Sequence, residues 1–188
     1  MKLYQIVEIA GNDNHAGTKA TSDIAWIAEN IGFKPVSIRM RSTALSKAAK
    51  LQRQGGYLKD WHQACRTIEK DSVVLLQHPF HYPQLTREGA LRKLKEQRHV
   101  RYICLVHDVE KLRGFRYNAY YEHEFLTMLD LADVLIVHND RMADYFIKQG
   151  VDGSRIIKLG IFDYLQKDDG GRMPVFAREI IVAGNLET

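Results

Sequence analysis

The sequence predicts an α/β protein with a mostly parallel sheet, and three observations carry that expectation. Four short apolar runs, LYQIVEI (3–9), SVVLLQH (72–78), YICLVHD (102–108) and DVLIVHN (133–139), are continuous rather than alternating. Strands buried on both faces read this way. Segments with helical periodicity lie between the runs, and the connections are short, so strand and helix alternate and right-handed crossovers follow.

The elements follow in order. After the first strand, Thr18 to Ile31 sets Ile24, Ile27, Ala28 and Ile31 on one helix face, and Gly32 provides the stop. PVSIRM (35–40) is a weaker strand candidate. Leu58 to Ile68 reads as a helix whose apolar face is Leu58, Trp61, Cys65 and Ile68. After the second apolar run, Thr86 is positioned to cap a helix reaching about Gln97, and the basic residues between Arg87 and Arg101 read as its solvated face. Helices over Tyr121 to Leu131 and Arg141 to Lys148 flank the fourth run, the second closed by Gly150. RIIKLG (155–160) and EIIVAG (179–184) are the last strand candidates. Between them QKDDGGRMP (166–174) has the charge and paired glycines of an exposed joint. The expected organisation is a domain over residues 1–165, a linker over 166–174 and the first strand of a further unit over 175–188.

Composition narrows the function. The chain has 188 residues, 45% of them hydrophobic, which is enough for a sizeable core. Lys and Arg number 27 against 23 Asp and Glu, a formal charge of +4 that leans towards anionic partners. The basic residues are scattered rather than gathered into a stripe, which argues against nucleic acid. MKLYQIVEIAG carries neither a cleavage signal nor a long apolar run, so a cytoplasmic protein is expected. Cys65 and Cys104 have no disulfide or zinc-ligand spacing and read as small buried hydrophobes.

In an open parallel sheet, ligands bind outside the carboxyl ends of the strands, where loops converge and helix N-termini point inward. The first strand leads into AGNDNHAGT, with Gly11, Asn14, His15, Gly17 and Thr18. The others end in His78, in His107 with Asp108, and in His138 with Asn139. Three histidines at one edge beside a glycine-containing loop point to a functional crevice. A metal site is disfavoured because no HxH or HxxxH pair anchors an ion. The loop fits neither GxGxxG nor GxxxxGK[ST], whereas its amides and imidazole suit a hydroxyl-rich ligand. A receiver-type domain would need several acidic residues after the first strand, where only Asp13 stands.

Four segments, SVVLLQHPF, YICLVHDVEKLRG, LADVLIVHNDRMADYFIKQGVDGSRIIKLGIFDY and IIVAGNL, in this order and spacing, resemble the N-terminal half of GT-B glycosyltransferases. The resemblance covers the last two thirds of the chain and is nearest to the bacterial galactofuranosyltransferase and glucosyltransferase group. It implies a Rossmann-like, three-layer α/β/α acceptor domain, one half of a GT-B fold. Gly184 and Asn185 match the turn that approaches the donor diphosphate in the second half. It further implies a full enzyme that moves a hexose such as galactofuranose from a UDP-sugar to a glycan or lipid-linked glycan. This chain alone is then expected not to turn over. Asp108 is the expected general base and His107 the runner-up. Asp108 as a cap of the turn at Val109 to Leu112 is the structural alternative. Gly11, Asn14, His15, Gly17, Thr18, His78, His138 and Asn139 are the expected acceptor or cleft contacts. No cofactor beyond the UDP-sugar donor and no metal is expected; self-association and peripheral membrane contact are. A sugar-binding or scaffold module without catalysis is the competing reading.

Overall fold

A computed structural model of the protein describes residues 1–9, 16–41, 44, 46–80, 83–113, 118–160 and 165. The chain runs β1 (Leu3–Ile9), α1 (Ala16–Asn30), β2 (Lys34–Arg39), α2 (Lys47–Thr67), β3 (Val73–His78), α3 (Arg87–Arg98) and β4 (Arg101–Val106). It continues through α4 (Glu110–Arg113), α5 (Ala119–Leu131), β5 (Val134–Val137), α6 (Asp140–Lys148), a 3₁₀ turn at Gly153–Arg155 and β6 (Ile156–Lys158). The six strands form one sheet in the order β2-β1-β3-β4-β5-β6, with every neighbouring pair parallel. This is the Rossmann-like α/β architecture expected.

The apolar runs become the central strands because they are covered on both faces. Val74, Leu76, Tyr102, Cys104, Val106, Leu135 and Val137 face Tyr57, Trp61 and Ala64 of α2, Leu91 and Leu94 of α3, Phe125 and Met128 of α5, and Phe146 of α6. Leu75 and Leu105 point the other way, onto Ile24 and Ala28 of α1. The chain moves to one side of β1 on reaching β2 and to the other on every later crossover. Right-handed connections therefore put α1 on one face and the remaining long helices on the opposite face. Edge strand β2 buries only Val36 and Ile38.

Several helix details differ from expectation. Helix α2 begins at Lys47, where the Ser46 hydroxyl accepts from the Ala49 N–H, well before the predicted start at Leu58. The pair Gly55-Gly56 hides this extension in the sequence. A Cβ on Gly56 would lie 2.3 Å from the Arg41 guanidinium carbon, and Arg41 crosses this glycine to reach Asp60 at 2.6 Å. The buried face is consequently Tyr57, Trp61 and Ala64, and Leu58 is exposed. Ile31 is also exposed, because α1 ends at Asn30 before its apolar face comes round again. Thr86 occupies the N-cap position of α3 but its hydroxyl makes no capping bond. Arg87, read as solvated, is 2% exposed. Cys104 is buried as expected, whereas Cys65 is only half-buried. The EIIVAG segment, the 166–174 joint and Gly184 and Asn185 lie outside the described residues. Among the described residues no helix is long and apolar enough to cross a membrane.

Candidate functional site

Strands β3, β4 and β5 are consecutive in the sheet, so His78, His107 and His138 emerge side by side at its carboxyl edge. The His107 N–H donates to the His78 carbonyl at 2.8 Å, and the rings of His107 and His138 stand 6.0 Å apart. Their environments differ. His78 is buried, and desolvation, reinforced by the neighbouring charge of Arg87, lowers its pKa to about 3. It is neutral at pH 7. His138 is half-buried, and desolvation lowers its pKa against the opposing pull of the Asp108 carboxylate.

The sheet changes winding direction between β1 and β3, the place where open α/β sheets form their binding crevice. An open crevice of about 420 Å³ lies there, walled by Glu8 of β1, Thr21 and Ser22 of α1, and Gln77, Pro79 and Phe80 at the end of β3. Two glutamine side chains seat α1 beside it: Gln5 donates to the Ala25 carbonyl at 2.8 Å and Gln77 to the Thr21 carbonyl at 3.1 Å. The second bond has a chemical consequence. A carbonyl only accepts, so the Gln77 amide nitrogen must face Thr21, which turns its Oε1 towards His107 Nε2 at 2.7 Å. His107 Nε2 therefore carries the proton, and Nδ1 is the atom with the basic lone pair in the neutral ring.

A hydrogen-bonded chain backs the crevice. Trp61 Nε1 donates to Gln84 Oε1 at 2.6 Å, and Gln84 Nε2 donates to Glu8 Oε1 at 2.5 Å. Beyond the turn at Pro79 and Phe80 lies a second, narrow recess, lined in part by His78, Tyr120, Tyr121 and Glu124. Arg87 braces the turn from behind. Its guanidinium carbon sits 4.0 Å from the centre of the Phe80 ring, it donates to the Tyr120 hydroxyl at 3.2 Å, and it pairs with Glu124. Burial pushes its pKa down.

Among the residues singled out in the sequence, His78, His107, Asp108, His138 and Asn139 come together at this edge, and Gly17 and Thr18 fall in the first turn of α1. Gly11, Asn14 and His15 lie outside the described residues. Asn139 is the N-cap of α6, its Oδ1 accepting from the Met142 N–H at 2.9 Å, which leaves its amide nitrogen for other contacts. Sequence reading missed Glu8, Gln84, Arg87 and Glu124. Glu8 had a signal, as an acid near the end of an otherwise apolar strand; Arg87 had none, because its partner is on another helix. Leu165, the last described residue, returns to α1, with its N–H on Asp23 Oδ2 at 3.0 Å and its carbonyl on Lys19 Nζ at 2.9 Å. Among the described residues no group of three His, Cys, Asp or Glu side chains is arranged to hold a metal ion.

"Glucosyltransferase 3" of Streptococcus gordonii is 25% identical over 168 residues, an overlap of 89% of this chain and 48% of that protein. The chain thus spans about half the length of this relative. The family model described as "Glucosyltransferase 3-like, N-terminal domain" matches residues 3–161. That span takes in every strand of the sheet and both walls of the crevice, and the chain belongs to the glucosyltransferase 3-like N-terminal domain family.

Proposed function

We propose that this chain is the acceptor-binding domain of a GT-B glycosyltransferase, which transfers galactofuranose or another hexose from a UDP-sugar to a hydroxyl of a cell-surface glycan. The observation that carries the reading is the crevice at the switch point between β1 and β3, in a chain of glucosyltransferase 3-like family. The acceptor sugar lies in that crevice, with Glu8 and Ser22 supplying polar contacts together with Gly11, Asn14 and His15 ahead of α1 and Gly17 and Thr18 in its first turn. Asp108 takes the proton from the acceptor hydroxyl as its oxygen bonds to the anomeric carbon and the bond to UDP breaks. His107 and His138, whose rings stand 6.0 Å apart, orient that hydroxyl. In this reading residues 166–174 link the domain to a second one, in which Gly184 and Asn185 meet the diphosphate and stabilise the departing charge. No metal or further cofactor takes part. The basic surface suits work at the inner face of a membrane that carries lipid-linked acceptors.

The test uses the full-length enzyme and a panel of UDP-hexoses that includes the furanose form. Asp108→Asn lowers kcat by about 10²-fold or more, the usual size of a general-base contribution, and leaves the donor KM in place. Glu8→Gln raises the acceptor KM instead. An unchanged kcat in Asp108→Asn removes that residue from the mechanism, and no transfer from any donor removes the reading.

A further inference from the structure

We propose that the exposed start of α2, together with Leu85, is a docking surface for an anionic lipid bilayer, which holds the carboxyl edge of the sheet against the membrane. The inference rests on the reading above for its purpose, since a lipid-linked acceptor lies in such a membrane; the surface itself is argued from the helix.

Helix α2 is longer than the core it covers. Its first buried side chain is Tyr57, so the stretch from Lys47 to Gly56, about 15 Å of helix, stands clear of the core. Because α2 follows β2 and runs back along the sheet, this stretch lies at the carboxyl edge of the strands, where the crevice opens. Gln54 fixes it there. Its amide donates to the Pro83 carbonyl at 3.2 Å and accepts from the Leu85 N–H at 3.1 Å. Leu51 and Leu58 lie one turn before and one turn after Gln54 on the same side of the helix. The bond to Leu85 therefore gathers three leucines into one patch, and they are 77%, 57% and 80% exposed. A helical stretch this short, ending in Gly55-Gly56, is marginal in water unless something covers it.

The charges say what that cover is. From Lys47 to Lys59 the chain carries four basic residues and no acid. Neighbouring carboxylates are engaged, Asp60 by Arg41 and Glu88 by Arg92. Among the described residues Lys47, Lys50 and Lys59 have no ion-pair partner. A second copy of the chain would set these cations against their own kind. An anionic bilayer supplies both things the patch lacks: negative headgroups for the lysines and hydrocarbon beneath them for the leucines, with the lysine stems spanning the two.

The test is co-sedimentation of the full-length protein, in which any cover from a second domain is in place, with vesicles of phosphatidylcholine alone or with about one-third phosphatidylglycerol. Binding to the anionic vesicles is at least about 10-fold tighter and weakens as salt screens the headgroups. Leu51→Ser with Leu58→Ser, and separately Lys47→Gln with Lys50→Gln, each lower it about 10-fold or more. Lys70→Gln with Lys148→Gln removes the same charge from exposed sites at the opposite edge of the sheet and leaves binding in place. An equal loss in this control means that the whole surface attracts lipid, which overturns the proposal. So does an absence of binding to anionic vesicles, or binding that the leucine and lysine variants leave unchanged. If the leucine variant instead splits an assembly of the full-length protein and vesicles are not bound, the patch joins copies and the proposal fails. Binding of polyglutamate in place of vesicles makes it a site for acidic protein and equally overturns it. Transfer from the donor panel reads the acceptor assignment separately: transfer without vesicle binding sinks only the surface, and vesicle binding without transfer sinks only the acceptor reading.

Discussion

Arg87 offers the sharpest test of how the site is braced. Replacing it with Met keeps most of the stem but removes a guanidinium that is 2% exposed, leaving the Glu124 carboxylate, at 16% side-chain exposure, without its cation. It also removes the donor to Tyr120 and the group stacked on Phe80. Breaking a buried pair from one side costs about 3–5 kcal/mol, because the remaining charge stays desolvated. In a chain of this size each kcal/mol moves Tm by about 2–4 °C, so Arg87→Met lowers Tm by about 6–20 °C. Arg92 is the internal control. Its pair with Asp130 is exposed at 38% and 62%, and Arg92→Met costs less than about 1 kcal/mol. The double change Arg87→Met with Glu124→Leu recovers most of the loss, since a packed apolar pair is about as stable as a buried ionic one. Urea unfolding of the wild type and these variants measures all of this. An Arg87→Met penalty no larger than that of Arg92→Met refutes the account of a buried brace.

Two further predictions come from neighbouring groups. The His78 pKa is about 3 in the folded chain, so between its ordinary 6.5 and 3 the unfolded chain holds the extra proton. Its contribution to stability is therefore whole above pH 6.5 and is lost as pH falls towards 3, with a slope of at most about 1.4 kcal/mol per pH unit. His78→Gln removes that slope, and parallel stability curves for the two proteins between pH 6 and 4 contradict the burial of this ring. Gln84→Leu strands the buried Trp61 N–H and takes a donor from Glu8, at a cost of about 1–3 kcal/mol in urea unfolding followed by tryptophan fluorescence. A neutral result means that neither group depends on Gln84.

Much of the fold was legible because it is written in short-range patterns. LVHD and LIVHN are apolar up to the point where β4 and β5 leave the sheet, and the polar residue that follows marks the edge. The histidine row was legible for the same reason, since parallel strands all finish on one side. The start of α2 was not, because Gly55 and Gly56 lower helix propensity; Arg41 passes over Gly56, and nothing in the structure explains Gly55. The function of Asn139 was ambiguous in the sequence, where a strand-end amide reads equally as a ligand contact or a helix cap.

The sequence by itself determined the alternation of strand and helix, the burial of the central strands and the placing of polar residues at their carboxyl ends, since each depends on periodicity within a few residues. Only the tertiary structure decided which of those ends are neighbours, that Glu8 joins Gln84 and Trp61, and that Arg87 turns inward to Glu124. The physical reason is distance along the chain. Strand order and charge pairing bring together residues that are tens of positions apart, and whether a charge is solvated or buried depends on the partner that packing supplies.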